Sequence, residues 1–181
     1  MKARIDFPEG DGTRLALRFA QPVCLLSARR LADVENVMTE AERLAKTGCW
    51  VLGFVSYEAA PAFDSAFGVA TTPSFLPLAF FAVYDRPVES PTEMFPQGGL
   101  GRTWQGSPWQ MDVNYAQVES GISTIRGAIA EGKYYQINYT DRLRSSGTSD
   151  GATFFESLRL TQPGGYCVHF EHADWQILSV S

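Results

Sequence analysis

Gly132-Lys133-Tyr134-Tyr135-Gln136-Ile137-Asn138-Tyr139-Thr140-Asp141-Arg142 directly follows a long amphipathic stretch. Its alternation predicts a strand with Gln136, Asn138, Thr140 and Arg142 in one row on one face. Two readings of that row stay open. Amide side chains carry both donors and an acceptor and suit the reading of a small polar ligand. One face of an antiparallel sheet is also often simply solvated. The strand offers no row of carboxylates of the kind a metal or acid/base site would use.

Upstream, residues 112–131 predict a helix, because Tyr115, Val118, Ile122, Ile125 and Ile129 recur at alternating spacings of three and four. Gly132 is placed to end it. Downstream, residues 150–160 predict a shorter helix stopped by Pro163-Gly164-Gly165, and residues 166–170 and 176–180 a hairpin. The N-terminal part reads similarly. Residues 4–7 and 15–19 flank the turn-rich Pro8-Glu9-Gly10-Asp11-Gly12, and residues 23–27 form a third extended piece. A helix over residues 31–46 follows, with Leu31, Val34, Met38, Ala41 and Leu44 on one stripe and Gly48 as its left-handed terminator. Residues 50–57 read as a strand buried on both faces, in which Gly53 marks a bulge or a close backbone approach. Residues 60–67 suit a short helix and 76–84 another apolar strand.

Residues 86–110 are the break in composition, with four prolines and four glycines, and predict an exposed linker. Their glycines are no phosphate-binding fingerprint, since no strand leads into them and no helix starts immediately after. A chain of 181 residues with 45% apolar and 19% charged residues is long enough and apolar enough for a packed core. A net charge of −5 gives no reason to expect nucleic acid or an anionic membrane as partner. Met1-Lys2-Ala3-Arg4-Ile5-Asp6 has no apolar signal region and no later run would span a bilayer, so a cytoplasmic location is expected.

Cys24, Cys49 and Cys167 are too widely spaced for a zinc cluster or a disulfide framework and read as small buried thiols in a reducing compartment. His169, His172 and Asp174 match no metal-ligand spacing, and no metal site is expected in this chain. Glu58, at the exit of the strand over 50–57, could act as acid or base, but it reads first as a favourable charge at a helix start.

Several segments, in order, resemble the chorismate-binding enzymes, and within them the aminodeoxychorismate (para-aminobenzoate) synthase component I branch. They are Gln21-Pro22-Val23, Gly48 through Ala59 with its Gly-Phe-x-Ser-Tyr-Glu-Ala pattern, the Ile122/Ile125/Ile129 helix, Gly132 through Thr140 with Gly-x-x-Tyr-Gln-x-Asn-x-Thr, and Gln176 through Ser181. The resemblance implies an α+β fold, a mostly antiparallel sheet with helices on one face. This would be part of an α/β/β/α sandwich of two sheets. It also implies amination of chorismate to 4-amino-4-deoxychorismate for folate biosynthesis, with ammonia from a glutaminase partner and Mg²⁺ holding the substrate. Asn138 matches a substrate-facing asparagine of the family, with Gln136 and Thr140 as neighbours. Related enzymes bind tryptophan in an N-terminal pocket. Ser27, in Leu25-Leu26-Ser27-Ala28, lies where that motif would fall, but the motif's glutamate is absent.

The family's Pro-Ile-Lys-Gly-Thr motif, which carries its nucleophilic lysine, does not occur in this sequence. Residues 1–181 therefore read as the N-terminal portion of a synthase domain from a truncated reading frame, inactive alone. An apolar face left uncovered would favour self-association. Anthranilate or isochorismate synthases are the enzyme alternatives. A non-catalytic binding or docking module is the alternative of another class.

Overall fold

The computed structural model describes residues 1–69, 74–88, 105–148 and 150–181. In chain order the elements are β1 (Lys2–Pro8), β2 (Arg14–Ala20), β3 (Cys24–Ala28), α1 (Leu31–Lys46), β4 (Trp50–Val55), a 3₁₀ turn (Tyr57–Ala62) and β5 (Ala79–Tyr84). There follow β6 (Gln105–Gly106), β7 (Gln110–Met111), α2 (Tyr115–Ala130), β8 (Leu143–Arg144) and β9 (Gly147–Thr148). Last come α3 (Gly151–Thr161), β10 (Cys167–Glu171) and β11 (Gln176–Val180). The chain divides into two compact units, one of Met1–Gly101 with Gly151–Ser181 and one of Arg102–Asp150. The fold class is α+β, and every described strand pairing is antiparallel.

The first unit contains two sheets, in the strand orders β11-β10-β1-β2 and β3-β5-β4. Alternation decides what each face meets. Ala3 and Ile5 of β1, Phe19 of β2 and Phe170 of β10 turn inward and form one core with Phe80, Ala82 and Tyr84 of β5. The ring of Phe19 packs 5.1 Å from Tyr84 and 5.4 Å from Trp50. On the far side of β5, Ala79 joins Val34 of α1 and Ala28 in a second core. α3 lies on the opposite outer face of the four-stranded sheet, where Phe155 stacks 5.3 Å from His169. Each sheet of this unit thus carries a helix on one face.

Gly53 is a close approach. A Cβ built there would sit 2.7 Å from Phe81 Cα and collide with the Phe80 carbonyl. The surrounding strand, β4, is a half-buried sheet edge, so the expectation of burial on both faces is corrected; β5, central in its sheet, is the deeply buried strand. Residues 60–67 do not form the expected helix; Pro61 lies instead inside a 3₁₀ turn that ends at Ala62. Gly48, at φ 95°, terminates α1 as expected.

α3 seats on its sheet through charge. Asp6, 1% exposed, accepts from Arg14 Nε at 2.5 Å and from Arg159 Nη1 at 3.2 Å. Arg159 Nε also donates to Glu156 at 3.0 Å. Burial raises the Glu156 carboxyl above the ordinary carboxylate range, against the pull of Arg159, Arg4 and Arg18.

The second unit is built differently. β7 pairs β8 and β6 pairs β9, each over two residues; β6 and Gln110 of β7 fall within what the sequence predicts as linker. Residues 89–104 of that linker lie outside the described residues. No residue of α2 is buried: of the stripe Tyr115, Val118, Ile122, Ile125 and Ile129 that reads as a core face, Tyr115, Ile122 and Ile129 are exposed and Val118 and Ile125 half-buried.

Candidate functional site

The site is built on the helix that delivers the segment 132–142. Asn114 opens α2 with a capping box. Its side chain accepts from Gln117 N at 3.0 Å, and Gln117 Oε1 accepts from Asn114 N at 2.8 Å. At the other end Gly132 takes φ 73°, with Gly132 N donating to Ile129 O at 3.0 Å and Lys133 N to Ala128 O at 3.0 Å. These two bonds are the Schellman pattern, and they require the left-handed residue that glycine supplies most easily. The spacing Asn-x-x-Gln was the available sequence signal for the helix start.

Beyond the cap, residues 134–142 pair with no described strand, which corrects the predicted strand over 132–142. A strand exists through its ladder. Here pairing begins only at Leu143–Arg144, against Gln110–Met111. The far end of the segment is tied down locally. Asp112 N donates to Arg142 O at 3.1 Å, and Val113 N donates to the Asp141 carboxylate at 3.3 Å. The Arg144 guanidinium also grips both oxygens of Asp112 and lowers that carboxyl below its usual range.

Gln136, Asn138 and Thr140 are exposed, and none makes a side-chain hydrogen bond among the described residues. Arg142 is exposed beside them and forms no ion pair there. The segment therefore presents amide donors and acceptors, a hydroxyl and a guanidinium, all free to meet a polar anion. Tyr139 anchors it on α2: a Cβ at Gly121 would stand 3.0 Å from the Tyr139 hydroxyl. Tyr139 also lines an open groove of about 700 Å³ with Asn114, Gln117, Ser120 and Thr124. Reading α2 for its apolar stripe missed these polar residues. Their recurrence on the opposite side of the helix was the signal.

The other expected site residues lie in the first unit. Ser27 is exposed on β3, opposite Phe80 in register. Glu58 stands in the first turn of the 3₁₀ segment. His169 is buried and bonds Gln176 through Nε2 at 2.9 Å, whereas His172 stacks on Trp175 at 4.8 Å. Among the described residues no group of three or more His, Cys, Asp or Glu side chains could hold a metal ion. No helix among them is long and apolar enough to cross a membrane.

Residues 92–181 match the family described as chorismate binding enzyme. No curated protein and no solved structure matches the chain.

Proposed function

We propose, on the premise that residues 92–181 belong to the chorismate binding enzyme family, that this chain supplies one wall of a chorismate pocket in component I of an aminodeoxychorismate synthase. The observation that carries the reading is the placement of Gly-x-x-Tyr-Gln-x-Asn-x-Thr, residues 132–140, inside the matched segment with its polar side chains unengaged. Chorismate carries two carboxylates and a ring hydroxyl. Arg142 would meet a carboxylate, and the Asn138 amide would donate to the departing hydroxyl. Gln136 and Thr140 would fix the orientation of the ring. In the overall reaction ammonia from a glutaminase partner would replace that hydroxyl: a C–N bond is made, the C–O bond is broken, and the hydroxyl leaves as water with a proton from the ammonia.

Two parts of this chemistry have no residues here. The Pro-Ile-Lys-Gly-Thr motif is not in the sequence, and no described cluster fits Mg²⁺, so no step is assigned to a lysine nucleophile or to a metal on this chain. The test uses the full-length protein with chorismate, an ammonium salt and Mg²⁺, analysed by liquid chromatography. Formation of 4-amino-4-deoxychorismate supports the proposal. Anthranilate or isochorismate as product moves the chain to another branch, and unconsumed chorismate favours a non-catalytic module. Asn138→Ala lowers turnover about a hundredfold or more while circular dichroism stays unchanged. Unchanged turnover removes Asn138 from the site.

A further inference from the structure

α2 carries two sets of residues at a spacing of seven. Tyr115, Ile122 and Ile129 form an exposed ridge, at 82%, 45% and 39% exposure. Beside them run Glu119 and Arg126, and neither forms an ion pair among the described residues. Seven residues of helix separate their Cα atoms by about 10.5 Å along the axis, so they do not readily pair with each other. Together with Tyr115, Val118, Ile122 and Ser123 they line a groove of about 400 Å³. The contact of α2 with its own unit runs along the adjacent side, where Gly121 meets Tyr139 and where Ile125 and Ala128 are half-buried, with half-buried Val118 at the border of the groove.

We infer that this ridge is an interface for a second copy of the chain, its α2 lying antiparallel about a two-fold axis at Ile122. The inference is independent of the chorismate reading. Reversing the helix about Ile122 brings Tyr115 opposite Ile129 of the second copy and Ile122 opposite itself. Glu119 then falls within one residue of Arg126 of the second copy, and the same pair recurs on the other side of the axis. The face is self-complementary in shape and in charge, as a two-fold interface must be. A parallel, in-register pairing would put the Glu119 and Arg126 flank of the two helices on opposite sides of the seam and leave these charges unpaired, so only the antiparallel arrangement pairs them. One 16-residue helix per protomer makes a small contact, which points to reversible association rather than an obligate dimer.

Sedimentation velocity across a protein concentration series tests this, with wild type, Glu119→Arg, Arg126→Glu and the double exchange compared. The wild type should dimerise reversibly by about 100 µM, each single reversal should weaken association about tenfold or more, and the double exchange should restore it. These positions are exposed, and circular dichroism verifies that α2 remains folded. In addition, Ile122→Cys, which places two thiols at the axis, should cross-link under mild oxidation faster than the wild type with its three native cysteines. A wild type that stays monomeric through that range overturns the inference. So do single reversals that associate like wild type, or a folded double exchange that is not restored.

Discussion

Asp6→Ala probes how α3 is held on its sheet. The Asp6 side chain is 2% exposed and is shared by Arg14 at 2.5 Å and Arg159 at 3.2 Å, whose side chains are 32% and 23% exposed. Removing one partner of a buried ion pair costs about 3–5 kcal/mol, because a charge is left uncompensated in a poor solvent. Three features lower that figure here. Both guanidiniums reach water, Arg14 keeps the carbonyls of Asp6 and Gly165 at 3.0 and 2.9 Å, and Arg159 keeps Glu156 at 3.0 Å. The 3.2 Å bond also lies at the long end for a charge-assisted contact. The expected loss is therefore about 2–3 kcal/mol, read as a shift in the urea midpoint at unchanged slope. Tryptophan fluorescence and far-ultraviolet circular dichroism should report coincident transitions for the first unit. Double-mutant cycles add a ranking: coupling to Arg14→Met should exceed coupling to Arg159→Met. A loss under about 1 kcal/mol, or no measurable coupling between Asp6→Ala and Arg159→Met, would refute the claim that this buried carboxylate holds the helix on the sheet.

Glu156 gives a pH dependence of definite sign. Burial raises its folded-state pKa, so its stabilising contribution is present below the unfolded carboxylate value and is lost as pH rises through the folded one. Glu156→Gln should gain stability relative to wild type as urea titrations move from about pH 4 to pH 8; a constant difference across that range would sink the argument. Tyr84 has a buried hydroxyl with no hydrogen-bond partner among the described residues, and burial pushes its pKa up to about 12. Tyr84→Phe should be neutral or stabilising by up to about 1 kcal/mol in thermal melts, whereas a loss above about 1 kcal/mol would show that the hydroxyl has a partner.

Much of the first unit was legible residue by residue. Pro8 to Gly12 marked the hairpin turn between β1 and β2, Gly48 ended α1, and Gly53 announced a strand packed too closely for a side chain. Each is a local requirement, written into the residue that meets it. Periodicity could not say which surface would cover an apolar face. The α2 stripe and the α1 stripe look alike in sequence, yet Val34 of α1 is fully buried while Ile122 of α2 is exposed. The segment 132–142 shows the same limit, because alternation describes a residue pattern and a strand needs a neighbour's amides and carbonyls.

The sequence by itself determined the described α-helices α1, α2 and α3, the turn between β1 and β2, and the chemical identity of the row Gln136, Asn138 and Thr140. Helices close their bonds within a few residues, and side chains do not change with context. Only the tertiary structure decided which strands share each sheet, the placing of Asp6 between two arginines from β2 and α3, and the exposure of that polar row. Those outcomes depend on residues far apart in the chain meeting or failing to meet: Asp6 and Arg159 are 153 positions apart. No local pattern encodes such a distance.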